Sequence, residues 1–201
     1  MLNHILTFVK QERRTWVLIC VFITVLAVVY EDTVKSWVEN YDPVVSQAEV
    51  SEKINTELAK ILEYSDADRV YIFQFHNGVT YYNGQHAQRF TCTYEITRDG
   101  ISREADNLKD LQVSVYSWFI NETIRGNMGY TDTDSIPNYT TRYSLHAQGI
   151  KSIRVLPIVK DHHVVGLIGI DYVRMNNPFL MDSISREWFE AEAKKVSELI
   201  H

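Results

Sequence analysis

From Gly149 to Val173 the chain reads GIKSIRVLPIVKDHHVVGLIGIDYV. Two runs rich in Ile, Val and Leu flank the polar tetrad Lys160-Asp161-His162-His163. Apolar, β-branched runs bounded by a short polar connection read as two strands joined in an antiparallel hairpin. Gly166 and Gly169, inside the second run, mark a close backbone approach or a bulge. The adjacent histidines would point to different faces of such a turn, which makes them poor partners for one metal ion; a solvated turn is the better reading.

The segments on either side fit the same scheme. Downstream, Ser183 to His201 forms an amphipathic helix with Ile184, Trp188, Phe189, Val196, Leu199 and Ile200 inward and Asp182 as its cap. Upstream, RVYIFQF (Arg69–Phe75) and RFTCTYEI (Arg89–Ile96) read as strands. His76-Asn77-Gly78 is expected to end the first, and Tyr81-Tyr82-Asn83-Gly84 gives a stronger hairpin turn. Residues 100–110 read as loop with short strand character. A helix around Val115, Trp118 and Phe119 would be capped by Ser114 and end before Gly126. A loop or short strand with Asp132 and Asp134 follows, then a short helix from Tyr139 to Gln148 closed by Gly149. Val44 to Tyr64 is an amphipathic helix with Val50, Ile54, Leu58, Ile61 and Leu62 on one face, long enough to support a sheet and to contact a partner chain.

The sum is an α+β domain with one antiparallel sheet flanked by helices. From Asn55 to His201 this order, with the 149–173 hairpin before a closing helix, resembles the GAF/PAS-like sensory superfamily. The resemblance implies a ligand pocket walled by loops beside the sheet. On that basis His76, Asn77, Tyr81, Tyr82, His86 and Arg89, the densest polar and aromatic cluster, would line it with Asp132 and His146. The alternative is that they are turn and rim residues, with the tyrosines packing and the histidines solvated.

The N-terminal part carries a different signal. Thr15 to Tyr30, TWVLICVFITVLAVVY, contains no charged side chain. Its 16 residues would reach roughly 24 Å at ~1.5 Å each, short of a hydrocarbon core of ~30 Å. Snorkelling Arg13 and Arg14, interfacial Trp16 and Tyr30, and local thinning would close the gap. A cleaved signal peptide would end in small residues, which this run does not, and a core helix is the third option. The expectation is a transmembrane helix with Ile23 near its middle. Lys10, Arg13 and Arg14 on one flank, against Glu31 and Asp32 on the other, place the N-terminus in the cytoplasm and the C-terminal domain in the periplasm. Leu2, Ile5, Leu6 and Val9 suit either a short amphipathic helix or a frayed tail. The expected organisation is a cytoplasmic tail (1–14), a transmembrane helix (15–30), a helical neck (31–64) and a GAF/PAS-like periplasmic domain (65–201) of a single-pass inner membrane protein.

Composition narrows the function. The 201 residues carry a formal net charge of −6, and no basic patch with interleaved aromatics occurs, so nucleic acid is not an expected partner. Cys20 and Cys92, one in the expected span and one beyond it, cannot pair within one chain, and the strand-like FTCTYE around Cys92 favours burial. No Ser-His-Asp order, H-E-x-x-H, P-loop or CxxC is present, so no enzyme, metal or cofactor is expected.

A second resemblance concerns the whole layout. VVYEDTVKSWVENY after the apolar run, INTELAKILEYSDAD before the first strand, and GLIGIDYVR before the last helix resemble the holins of T-even type bacteriophages. That resemblance implies a protein that oligomerises in the host inner membrane and opens a lesion that times lysis. Its outer domain would be the regulator, with an antiholin or another periplasmic protein as partner. Thr15, Cys20 and Thr24 in a short span suit the self-association this requires. The alternative is a membrane-anchored GAF/PAS-like ligand-binding sensor subunit that acts through a separate partner.

Overall fold

A computed structural model describes residues 15–26, 28–31, 42–174 and 183–200. The chain divides into two compact units, Met1–Ala48 and Glu49–His201. In the second, strand β1 (Arg69–Thr80) shows how the sequence builds two cores from one sheet. Val70 and Ile72 go to one face, Tyr71 and Phe73 to the other, as a two-residue period requires. The remaining strands are β2 (His86–Thr97), β3 (Leu111–Gln112), β4 (Gly129–Tyr130), β5 (Ser152–Lys160) and β6 (His163–Tyr172). They form one antiparallel sheet in the order β3-β2-β1-β6-β5-β4.

Four helices accompany the sheet: α1 (Pro43–Ser65), α2 (Ser117–Ile124), α3 (Tyr139–Ala147) and α4 (Ser183–Leu199). Helix α1 starts with proline at its first position, and Asp42 Oδ1 accepts hydrogen bonds from Val44 N and Val45 N. Ile54, Leu58 and Ile61 of α1 and Phe189 and Val196 of α4 cover the Val70, Ile72, Ile168 and Ile170 face. Each such buried side chain contributes about 1.5–3 kcal/mol. The opposite face is aromatic: Tyr71, Phe73 and Phe90 pack against Phe119 and Ile120 of α2 and Leu145 of α3.

The hairpin expected from residues 149–173 is β5–β6. Its turn residues Asp161 and His162 have φ of 49° and 65°, the pair of positive angles a two-residue hairpin needs. β1 does not end at His76-Asn77-Gly78. His76 and Asn77 pair with Arg89 and Gln88, so the ladder continues. The chain reverses at Tyr81 to Gln85 instead, with Gly84 at φ 80°. α2 starts at Ser117 rather than after Ser114, because residues 113–116 form a turn first. Asn138 caps α3, its side chain accepting from Thr141 N at 2.9 Å.

The first unit corrects the membrane expectation. Residues 15–26 and 28–31 are helical. Among the described residues, no helix is long and apolar enough to cross a membrane. That overturns the transmembrane helix in the fold and the single-pass inner-membrane and periplasmic placement. The topology residues Lys10, Arg13 and Arg14 lie outside the described residues, as do Leu2, Ile5, Leu6, Val9, Asp182 and most of the segment from Glu31 to Asp42.

Candidate functional site

The β1–β6 register sets Arg69 opposite Asp171 at the end of the ladder. Both side chains are on the aromatic face, and neither is more than 1% exposed. Arg69 Nε donates to both oxygens of Asp171, at 3.0 and 3.2 Å, and Nη2 donates to the carbonyl of Gln148 at the end of α3, at 3.3 Å. Nη1 is buried with no hydrogen-bond partner. A Glu104 carboxylate oxygen, Oε1, stands 3.8 Å from Nη1, beyond hydrogen-bond reach. A buried donor left unmatched costs about 1–3 kcal/mol, more when charged.

Arg69 and Asp171 border a cavity of about 50 Å³ between the sheet, helices α2 and α3, and the segment from Arg98 to Tyr116. That space holds about four water-sized groups. Tyr71, Phe73, Phe90, Phe119 and Leu145 supply apolar walls, and Glu95 is the third charged group at the edge. Glu95 is itself buried and clasps the covering segment, accepting from Glu104 N at 2.9 Å and Ala105 N at 3.0 Å.

Burial pushes the Asp171 carboxyl up to about 7, although the Arg69 guanidinium beside it acts the other way. Burial, with the Asp171 charge nearby, also holds the Tyr71 hydroxyl well above its ordinary range. The Cys92 thiol is pushed up to about 12, again chiefly by burial. The thiol and phenol on this face are therefore held protonated, and the arrangement is equipped to bind an acceptor group rather than to attack one. Among the described residues, no three His, Cys, Asp or Glu side chains group so as to hold a metal ion.

No protein-family model and no curated protein matches the chain. Solved structures do match. The blue-light-absorbing form of the Thermosynechococcus elongatus PixJ GAF domain is similar at 16% identity, covering 79% of this chain and 89% of that one, with a TM-score of 0.59. The GAF domain region of a putative membrane protein from Geobacter sulfurreducens gives 14% identity, 79% and 97% coverage and a TM-score of 0.58. A domain of a putative two-component sensor histidine kinase from Sinorhizobium meliloti gives 13%, 73%, 87% and 0.51. The fold is GAF-like. Nothing in these comparisons supports the holin resemblance or its lytic role.

In the GAF-like fold the residues expected from the sequence to line a ligand site fall in two groups. His76, Asn77, His86 and Arg89 lie along the outer part of the β1–β2 hairpin. There His76 Nε2 meets Thr91 Oγ1 at 2.9 Å, Asn77 Oδ1 accepts from Gln88 Nε2 at 3.2 Å, and Thr80 Oγ1 meets His86 Nδ1 at 2.9 Å. Arg89 Nη1 pairs with the Asp110 carboxylate. Tyr81 and Tyr82 are exposed at the tip. Asp132 and His146 border a separate surface pocket. Asp132 Oδ1 accepts from Asp134 N at 2.9 Å, and His146 Nε2 lies 3.0 Å from Asp134 Oδ1. None of the eight lines the Arg69 cavity. The charged residues that do, Arg69, Glu95 and Asp171, do not stand out as a local cluster in the sequence, yet they carry a signal. Each is a charge inside or beginning an apolar strand, and a buried charge requires a partner.

Proposed function

We propose that the GAF-like unit is a ligand-binding sensor module whose small ligand occupies the cavity at Arg69. The observation that carries this reading is Arg69 Nη1, a fully buried cationic donor without a hydrogen-bond partner, on a side chain that borders an aromatic-walled cavity. Native structures leave few such donors unmatched, and a bound acceptor would satisfy it. Apolar walls with a few convergent polar groups are the usual make-up of a small-molecule site. The role is binding, without catalysis.

The route out of the cavity runs through neighbouring residues of β6. Asp171 faces the cavity, while Tyr172, next in the chain, reaches the opposite face and donates its hydroxyl to Ser65 O at the end of α1, at 2.7 Å. Asp68, before β1, accepts from Val173 N and Arg174 N at 2.7 and 2.8 Å. A displacement of Asp171 on ligand binding would therefore be felt at the end of α1. From there a separate protein partner would read it.

The test is a thermal-shift screen of small organic acids, amides, alcohols and amines on the native protein and on Ser144→Phe. Ser144 lines the cavity from α3 and is half-buried, so the larger ring fills the space. Ligands should raise the midpoint of the native protein with concentration and leave the filled variant unmoved. If no compound distinguishes the two proteins, the reading is overturned.

A further inference from the structure

We infer that the ligand of this cavity is a short-chain monocarboxylate, and that Glu104 holds the ligand's place beside Arg69 until it binds. This rests on the ligand-binding reading above and adds the chemical class and the competing residue.

Glu104 forms a long ion pair with Arg69, Oε1 to Nη1 at 3.8 Å, and is held there by contacts with its own neighbours. Its backbone N–H donates to Glu95. Ser102 Oγ donates to Glu104 Oε1 at 3.1 Å and Asn107 Nδ2 donates to Oε2 at 3.0 Å. These neighbours present the carboxylate towards the guanidinium but stop it at 3.8 Å from Nη1. The charges attract, yet the hydrogen bond that Nη1 lacks is not made. A carboxylate free of the chain can close that last ångström, because it is not tethered to the 98–116 segment.

Charge and size select the ligand. Arg69 already faces Asp171, with Glu95 close by, so a further anion beside Glu104 would add a third or fourth negative charge around one guanidinium. A carboxylate that takes the place of Glu104 leaves the charge of the site unchanged. A neutral acceptor would leave Glu104 where it is, and a cation would meet Arg69 first. Room for about four water-sized groups limits the molecule to a carboxylate with a short tail. Tyr71, Phe73 and Leu145 make the rest of the space largely apolar, so the tail is hydrocarbon.

The experiment is calorimetric titration of the full chain with sodium acetate, propionate and butyrate, with propionamide as the uncharged isostere. Wild type, Glu104→Gln and Ser144→Phe are compared. Glu104→Gln keeps the size of a side chain only 15% exposed and keeps its Ser102 and Asn107 neighbours, so it leaves the fold intact. Propionate or butyrate should bind the wild type, and propionamide should bind at least about tenfold more weakly. Glu104→Gln should bind the acid about fivefold tighter, since removing an internal competitor removes its tax on apparent affinity. Ser144→Phe should not bind. Equal affinity for acid and amide, or no gain in Glu104→Gln, overturns the inference while binding that is sensitive to Ser144→Phe keeps the site itself. Absence of binding by every acid to both wild type and Glu104→Gln also overturns it, and the broader screen on Ser144→Phe then decides the site separately.

Discussion

Tyr71 lies across the β1–β6 ladder from Gly169, and its ring fills the space that a side chain at 169 would need. A methyl group there would overlap the ring and drive it towards the cavity it lines. Gly169→Ala is therefore an overpacking change, with an expected loss of about 1–3 kcal/mol. Urea unfolding should show an earlier midpoint, and the loss from Gly169→Ala should be smaller when the change is made on a Tyr71→Ala background, where the contested space is vacant.

The Arg69–Asp171 pair predicts a pH dependence with a definite sign. The Asp171 carboxyl ordinarily titrates near 3.8 and is pushed up by burial to about 7 in the folded protein. Folding therefore takes up a proton between these values. The contribution is complete below about pH 4 and is lost as pH rises through 7, with a slope of up to about 1.4 kcal/mol per pH unit. Unfolding free energies measured from pH 4 to 8 should show a falling component in the wild type that Asp171→Asn lacks.

Glu95 predicts how the covering segment is held. Its carboxylate accepts two backbone N–H groups, from Glu104 and Ala105. In Glu95→Leu both donors lose that acceptor, at roughly 1–3 kcal/mol. Hydrogen exchange at the amides of residues 104 and 105 should accelerate more than at β5 or β6, and trypsin should cut sooner at the exposed Arg103.

The two cysteines should react very differently. Cys20 is exposed, while Cys92 is buried with its thiol pushed up to about 12. A thiol reagent at neutral pH should modify one equivalent rapidly in the native protein and the second only on unfolding. Two rapidly modified thiols in native protein would contradict the packing of Cys92.

The fold was legible where the sequence repeats a period. β5 and β6 follow from two apolar runs and a polar turn, and α1 from Ile54, Leu58 and Ile61. The cavity was harder to read because its parts are far apart in the chain. Arg69 and Asp171 are separated by 102 positions and meet only through strand register. Local density of polar and aromatic residues pointed instead to His76, Tyr81 and His86, which sit on an outer hairpin where side chains satisfy one another across strands. The apolar run Thr15 to Tyr30 misled for a related reason. Hydropathy records composition, whereas a span also needs a helix both long and apolar enough to cross, and the described residues contain none.

The two-faced sheet also makes the protein its own optical instrument. Trp118 packs half-buried against the aromatic face, while Trp188 stacks on Tyr64, centroids 4.1 Å apart, beside the α1–α4 face. With the two other tryptophans, Trp16 and Trp37, changed to phenylalanine, each remaining indole reports on one side of the sheet. An event at the cavity should change Trp118 emission first. A change at Trp188 that follows it would time the passage of strain from one layer to the other.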